Sequence, residues 1–503
     1  MTGGLATSTI DEQIRYLTSD ETLKELLADV PPPVSIDAGE LAESVRRAGR
    51  VLVVLDDDPT GTQSVADLPV VTAWDVEDFR WAFAQDRPAV YVMTNSRSLD
   101  PADAERVNHE VATAALAAAA DMGLQVELVS RSDSTLRGHY PLETEVLAEE
   151  LVAAGQPAPD GVLLVPAFPD AGRVTIDSEH YYVVDGEAIP SAQTEFAKDA
   201  TFGYHSSNLR DYVAEKSEGR IPADTVVALT LAQIRRGPEA VAEILRGVTD
   251  GVPVVVDAAV ESDLLVVAAA VESVVAEGKS FLYRVDPPFP RTRIGQRAHA
   301  PLEAAGIFAE RPPQPRSGLI VVGSHVPTTT RQLETLTLEH PEVTRIEIEV
   351  EQVLDPDRRD SHLRDVVDRA AAALDHGQVI VSTTRALRTG ASATDSLRIA
   401  REVSAAIIAT VQGVLAAAPP RFVIAKGGIT SSDVATHGLG IRHARVLGPM
   451  LPGIVCATST ARPAGPSGAT ESSEPDAAWC GGAAPAPTRR AQSSIASMPS
   501  SAS

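Results

Sequence analysis

The stretch VLVVLDDDPTGTQ, residues 51–63, decides the fold reading. It begins as an unbroken run of apolar, mostly β-branched residues, the pattern of a strand covered on both faces. It ends in three consecutive carboxylates, Asp56, Asp57 and Asp58, followed by Pro59, Thr60 and Gly61. Adjacent like charges at a strand end are costly unless donors, a cation or a metal hold them. Asp-Pro-Thr-Gly also supplies a turn whose glycine lets a ligand approach the backbone. A solvated acidic turn that caps the next helix is the plain alternative.

The same strand texture recurs at 89–95, 125–130, 161–167, 225–229, 252–256, 280–285, 318–324, 344–350, 378–383 and 421–428. Helical patterns lie between. Asp100 and Pro101 read as an N-cap and first-turn proline of a helix ending at Gly123, and TTTRQLETLTLEH and SLRIAREVSAAIIATVQGVLAAA read as two more. Repeated β-α alternation predicts an α/β protein with mainly parallel sheets flanked by helices. In such sheets ligands bind beyond the carboxyl ends of strands, where the acidic turn lies.

FAERPPQPRSG (308–318) is Pro-rich and polar and precedes a new strand, so it predicts a domain boundary. The expected organisation is a helical extension over 1–48, a first domain over 49–307, a linker over 308–317 and a second domain over 318–456. The segment 457–503 is rich in Ala, Ser, Pro and Gly, with few β-branched residues after its first turn. It lacks the material for a core and is expected to be disordered.

The chain carries 43 Lys plus Arg against 69 Asp plus Glu, a net charge of −26. That charge disfavours nucleic acid and anionic lipid as partners. An anionic ligand would need a local cluster of cations. Cys456 and Cys480 form no ligand pattern, so neither a disulfide framework nor a zinc site is expected. No signal peptide and no membrane-long apolar run are read, which makes a cytoplasmic location the expectation.

Three further strand ends carry polar chemistry. In TNSRSLD (94–100), Ser96 and Arg97 stand where backbone N–H groups and a guanidinium could hold a carboxylate; helix capping explains them equally well. SRSDSTLRGHY (130–140) packs Arg131, Asp133, Ser134, Thr135, Arg137 and Gly138 together, a suitable set for a polyhydroxy acid. VPAFPDAGRVTIDSEHYYVVDG (165–186) adds Arg173, with His180 unassigned. In the second domain GLIVVGSHVPTTTRQL places Gly323 and Ser324 between strand and helix. VIAKGGITSSDVATHG places Lys426, Gly427, Gly428, Ile429 and Thr430 before a helix opened by Ser431, Ser432 or Asp433. Glycines there admit a phosphate to the backbone and Lys426 can neutralise it, although a glycine at a strand–helix turn is common.

Two chemistries compete for the opening motif. Asp56, Asp58 and Thr60 fit the strand–DxDxT pattern of haloacid-dehalogenase-type phosphatases, with Asp56 as nucleophile and Asp58 as general acid/base. That pattern also needs a late strand ending in paired acids, which the sequence lacks. In the other, Asp57 and Asp58 accept sugar hydroxyls and one deprotonates the attacking hydroxyl, with Thr60 and Gly61 beside them.

Taken in order, DDDPTGTQ, TNSR, SDSTLRG, PAFPDAGR, VVGSHVPTTTRQ and KGGITSSDVA resemble the four-carbon acid sugar kinases over roughly residues 50 to 456. The resemblance implies an acid-sugar-binding domain, a nucleotide-binding domain and a ligand cleft between them. It also implies ATP-dependent phosphorylation of the terminal hydroxyl of threonate, erythronate or a 3-oxo-tetronate, with Mg²⁺. The implied roles are Asp57 and Asp58 in catalysis, Thr60, Gly61, Ser96, Arg97, Asp133, Ser134, Arg137, Gly138 and Arg173 on the sugar acid, and Gly323, Ser324 and Lys426 through Thr430 on ATP. A homodimer is the assembly expected. The resemblance departs at two places. Ser132 and Arg131 precede Asp133 where an apolar residue and a Lys are usual. Past LPGIV the family continues into a strand and a Gly-bearing loop that closes on the nucleotide, whereas this chain turns to low-complexity sequence. A sugar-acid-binding protein with a defective nucleotide site is the third reading.

Overall fold

The computed structural model describes residues 21–58, 61–184, 187–303, 316–386, 388, 390, 393–451, 454–459 and 478–482. Two compact units divide between Ala300 and Pro301. Most of the expected linker, 308–317, lies outside the described residues.

The first unit holds β1 (Arg50–Asp56), β2 (Leu68–Val71), β3 (Ala89–Met93), β4 (Gln125–Arg131), β5 (Gly161–Val165), β6 (Arg173–Ile176), β7 (Glu179–Val184), β8 (Glu187–Pro190), β9 (Val227–Leu229), β10 (Val252–Val256) and β11 (Phe281–Val285). Its main sheet runs β2-β3-β1-β4-β11-β5-β10-β9, with every pairing parallel. The unbroken apolar runs are explained by burial on both faces. Val51, Val53, Leu55, Val90, Val92 and Leu128 pack under Val107, Val111 and Ala115 of the helix Pro101–Met122. That helix is closed as its sequence predicts. Asp100 accepts from the Asp103 N–H, and Gly123 ends it in the left-handed region at φ 68°. On another side, Leu41 and Val45 of the helix Ala38–Ala48 pack with Ala268 of the helix Glu261–Ala276. The N-terminal helices are therefore bound to this core.

Strand order places the ligand end. From β1 the chain goes to β2 and β3 on one side, then crosses to β4 on the other. The carboxyl ends of β1 and β4 thus form a topological switch point. In the segment 165–186, taken from sequence as polar chemistry following a strand end, Arg173–Ile176 and Glu179–Val184 are strands, and with Glu187–Pro190 they form a 3-stranded antiparallel sheet, β6-β7-β8. Asp177 and Ser178 both take positive φ, 50° and 65°, as a two-residue hairpin turn between right-twisted strands requires.

The second unit holds β12 (Leu319–Val322), β13 (Thr344–Ile348), β14 (Val379–Thr383), β15 (Phe422–Lys426), β16 (His443–Leu451), β17 (Ile454–Ser459) and β18 (Ala478–Gly482). The order is β13-β14-β12-β15-β18-β17-β16. It is parallel from β13 to β18 and antiparallel from there to β16. The helix Pro327–Glu339 covers Ile320, Val322 and Ile380 through Leu333.

Two expectations fail here. The segment 457–503 is not uniformly without structure. Residues up to Ser459 complete β17, and β18 pairs parallel with β15 and antiparallel with β17. Backbone hydrogen bonding sustains this strand despite the poor side-chain composition, because an interior position pairs both of its edges. The rest of the segment lies outside the described residues. In addition, Arg398–Ala417 is long and apolar enough to cross a membrane, which the sequence reading denied. Val403, Ala406, Ile407, Val411 and Val414 of that stretch are buried core.

Candidate functional site

The acidic turn at the end of β1 is held by arginines, each on a separate backbone element. Asp56 is fully buried. It lies opposite Arg131 in the β1–β4 register, and Arg131 Nη1 donates to its Oδ1 at 2.6 Å. Burial pushes the Asp56 carboxyl up to about 7 against the pull of Arg131, with Asp57 and Asp58 pushing the same way. Gly61 is required by close approach: a Cβ there would lie 1.6 Å from Asp56 Oδ2. This burial counts against Asp56 as a phosphatase nucleophile, which must reach its substrate.

Asp57 is clamped by Arg97, with Nη2 at 2.5 Å from Oδ1 and Nε at 3.0 Å from Oδ2. Burial raises the Asp57 carboxyl and Arg97 opposes that. The remaining Arg97 nitrogen, Nη1, lies 3.3 Å from Asp58 and 3.8 Å from Asp133. Asp133 then receives Arg137 Nε at 2.7 Å and the Thr135 hydroxyl. Arg97, Arg137 and Thr135 overcome its burial and hold Asp133 down to about 2. Charges therefore alternate along Asp58–Arg97–Asp133–Arg137. Arg137 stacks over Phe196 at 5.0 Å and lies 3.8 Å from Asp199. Asp58 and Arg137 are its most exposed members, each 27% exposed, whereas Asp57 is 2% exposed.

Other predicted residues support this chain from beneath. Ser96 is turned inward, its hydroxyl donating to Glu143 at 2.6 Å, so the side chain is not available to a ligand as expected. Ser134 contributes its carbonyl to His180 Nε2 at 2.8 Å. His180 also meets the Thr175 hydroxyl through Nδ1, and burial lowers it to about 4, so it stays neutral. A Cβ on Gly138 would come within 2.9 Å of Asp57 Oδ2 and 2.5 Å of Arg284 Nη2, which brings both groups to one piece of backbone. Arg173 is folded onto its own hairpin, 2.8 Å from the Tyr182 hydroxyl, while its Nε is buried without a partner. Thr60 lies outside the described residues.

Sequence reasoning missed Glu143, Arg284 and Asp286. Arg284 bonds the Ser130 hydroxyl at 2.8 Å and pairs with Glu143 beneath Asp57. Asp286 follows β11, beside β4, and its Oδ2 is buried without a hydrogen-bond partner. Burial raises it well above the ordinary carboxyl range, against Arg131. An acid directly after an apolar strand was the available signal, the same one that exposed Asp56.

In the second unit β12 meets β15 at another switch point, with β13 and β14 on the opposite side. The two predicted glycine segments touch there. A Cβ on Gly323 would fall 2.3 Å from Thr430 Oγ1. Gly427 has φ +118°, and a Cβ on it would fall 2.9 Å from Ser324 Cβ. Lys426 ends β15, and burial alone lowers its pKa. The helix begins at Gly428, earlier than expected, so Ile429 and Thr430 belong to its first turn. The side chain of Ile429 is outside what is described. Among the described residues no group of three or more His, Cys, Asp or Glu could hold a metal ion.

A family model described as a sugar-binding N-terminal domain matches residues 52–292, and one described as a nucleotide-binding C-terminal domain matches residues 319–469. No curated protein matches the chain. Among solved structures, a Salmonella typhimurium LT2 protein provisionally described as a tRNA synthase is 17% identical, with a TM-score of 0.60 over 88% of this chain and 99% of its own. A Haemophilus influenzae protein of a family without assigned function is 16% identical, with a TM-score of 0.57 over 86% and 96%. These two share the fold. A Bordetella bronchiseptica domain of unknown function, a domain-swapped dimer with bound citrate, is 20% identical with a TM-score of 0.37 over 86% and 94%.

Proposed function

The chain belongs to the four-carbon acid sugar kinase family, and from that premise we propose that it transfers the γ-phosphoryl group of ATP to the terminal hydroxyl of a four-carbon sugar acid. The observation that carries the proposal is the alternating chain Asp58–Arg97–Asp133–Arg137 at the β1/β4 switch point, whose two end members are its most exposed. A sugar acid offers one carboxylate and several hydroxyls, which complement one part-exposed guanidinium and one part-exposed carboxylate.

The roles follow from occupancy. Arg97 already serves Asp57, Asp58 and Asp133, so it orders carboxylates and leaves substrate anchoring to Arg137. Arg137 has only Nε committed to Asp133 at close range and can turn its outer nitrogens to the substrate carboxylate. Asp57 is closed off by its clamp; Asp58 is the reachable base. In this reading Asp58 accepts the proton as the hydroxyl oxygen attacks the γ-phosphorus, and the bond to the leaving ADP breaks. On the nucleotide side, Gly323 and Gly427 leave room at the backbone, and Lys426 supplies positive charge. Magnesium enters as the counter-ion of ATP, which needs no protein cage of its own.

The test is a coupled ADP-release screen of the full chain over D- and L-threonate, D- and L-erythronate and 3-oxo-tetronates. At least one acid should trigger ATP consumption, and Asp58→Asn should lower kcat by roughly a hundredfold or more, the range for a general base. Binding of a sugar acid with no binding of ATP would refute the kinase reading and leave a sugar-acid sensor.

A further inference from the structure

The second unit holds two cations that the sheet brings to one loop and that no carboxylate among the described residues neutralises. Val322 of β12 pairs with Ser382 of β14 on one side and Lys426 of β15 on the other. Arg385 follows β14 and Lys426 ends β15, so they flank the Gly323–Ser324 loop. Arg385 Nη2 donates to the Ser324 carbonyl and, at 3.2 Å, to the Thr330 hydroxyl; Nε reaches the same hydroxyl at 3.4 Å. Its Nη1 is buried with no hydrogen-bond partner. From the other side Gly427 closes on Ser324, a Cβ there falling 2.9 Å from Ser324 Cβ.

Among the described residues, several buried arginines elsewhere in this acidic chain are matched, the part-buried Arg173 being an exception. Arg97 has Asp57, Arg131 has Asp56, Arg235 has Asp263, and Arg293 has Glu127 and Glu272. Arg385 has no such carboxylate among the described residues. The charge felt most at Arg385 is Arg345, which opposes it, with Glu347 weaker in the other direction. Among the described residues this half-buried guanidinium bonds only a carbonyl and a hydroxyl, beside a lysine with no paired acid, so its counter-charge is lacking there. An anion with several oxygens supplies it. A guanidinium fork fits phosphate in particular, and the N-terminus of the 13-residue helix Pro327–Glu339 follows the same loop.

We propose that Arg385 is a phosphate-binding residue of the nucleotide site, gripping the phosphate chain from the β14 side while Lys426 holds it from the β15 side. The proposal rests on the kinase reading for the identity of the nucleotide, but not for the presence of a polyphosphate site.

The test is calorimetry on the full chain with ATP, adenosine and inorganic tripolyphosphate, for the wild type, Arg385→Gln and Arg385→Lys. Arg385→Gln should weaken ATP and tripolyphosphate roughly tenfold or more, as loss of a charge-assisted hydrogen bond does, and leave adenosine unchanged. Arg385→Lys, which keeps the charge and loses the fork, should recover part of the tripolyphosphate affinity at an unchanged Tm; it carries the test if Arg385→Gln does not fold. A merely structural Arg385 would lower Tm and weaken adenosine along with ATP, and that result overturns the proposal. Wild-type affinity for ATP and tripolyphosphate in Arg385→Gln overturns it too and leaves the kinase reading standing. A wild type that binds tripolyphosphate but not ATP, with the affinity lost in Arg385→Gln, sustains the phosphate site and sinks the kinase reading. A wild type that binds neither overturns both.

Discussion

Replacing Arg97 with Ala removes the cation shared by three carboxylates. Asp57 is 2% exposed, Asp133 12% and Asp58 27%, so the loss falls mainly on the first two. Removing one partner of a buried ion pair leaves an uncompensated charge and costs about 3–5 kcal/mol. Arg131 Nη1 lies 3.8 Å from Asp57 and Arg137 still serves Asp133, which places the expected loss at the lower end, about 3 kcal/mol. Urea unfolding at about pH 7 and about pH 4 measures it. The sign with pH follows from Asp133, whose carboxyl is held down to about 2 from 3.8. Its stabilisation is present above 3.8 and is lost as pH falls toward 2. In Arg97→Ala the carboxylates protonate more readily, so the deficit should shrink at the lower pH. Adding Asp57→Asn to Arg97→Ala should recover part of the loss, since contacting residues are not additive. A loss under about 1 kcal/mol at neutral pH, the size of a solvated surface pair, would refute a desolvated charge chain.

Asp56, raised to about 7, has the opposite sign: its contribution is complete below 3.8 and is lost as pH rises through 7. Its carboxyl ¹³C resonance should therefore titrate near neutrality, and a midpoint at the ordinary 3.8 would contradict the burial argument. Deleting everything after Ser459 removes β18 from between β15 and β17 and leaves both edges unpaired. The Tm should fall, and an unchanged Tm would show that the strand adds nothing.

The residue run 51–58 alone was enough to say that a buried strand ends in acids, because continuous β-branched hydrophobicity and abrupt charge are local properties. The same locality made the other parallel strands legible, along with the helix capped by Asp100 and Gly123. Motif order identified the family. Sequence could not say which acid is reachable. Asp56, Asp57 and Asp58 are consecutive, yet one is locked on Arg131 of a neighbouring strand, one is clamped by Arg97 and one stays part-exposed at the edge of the same guanidinium. Burial and ion pairing are set by chain crossings tens of residues apart, which no window of sequence contains. The hairpin at Asp177–Ser178 was missed because its segment was taken as polar chemistry following a strand end, and β18 because its composition is poor. Strand existence at β18 depends on two flanking strands that offer free hydrogen-bonding edges, a condition that only tertiary structure supplies. Arg385 has the same cause: its distinction is that no carboxylate among the described residues pairs with it, which shows only once the chain has folded.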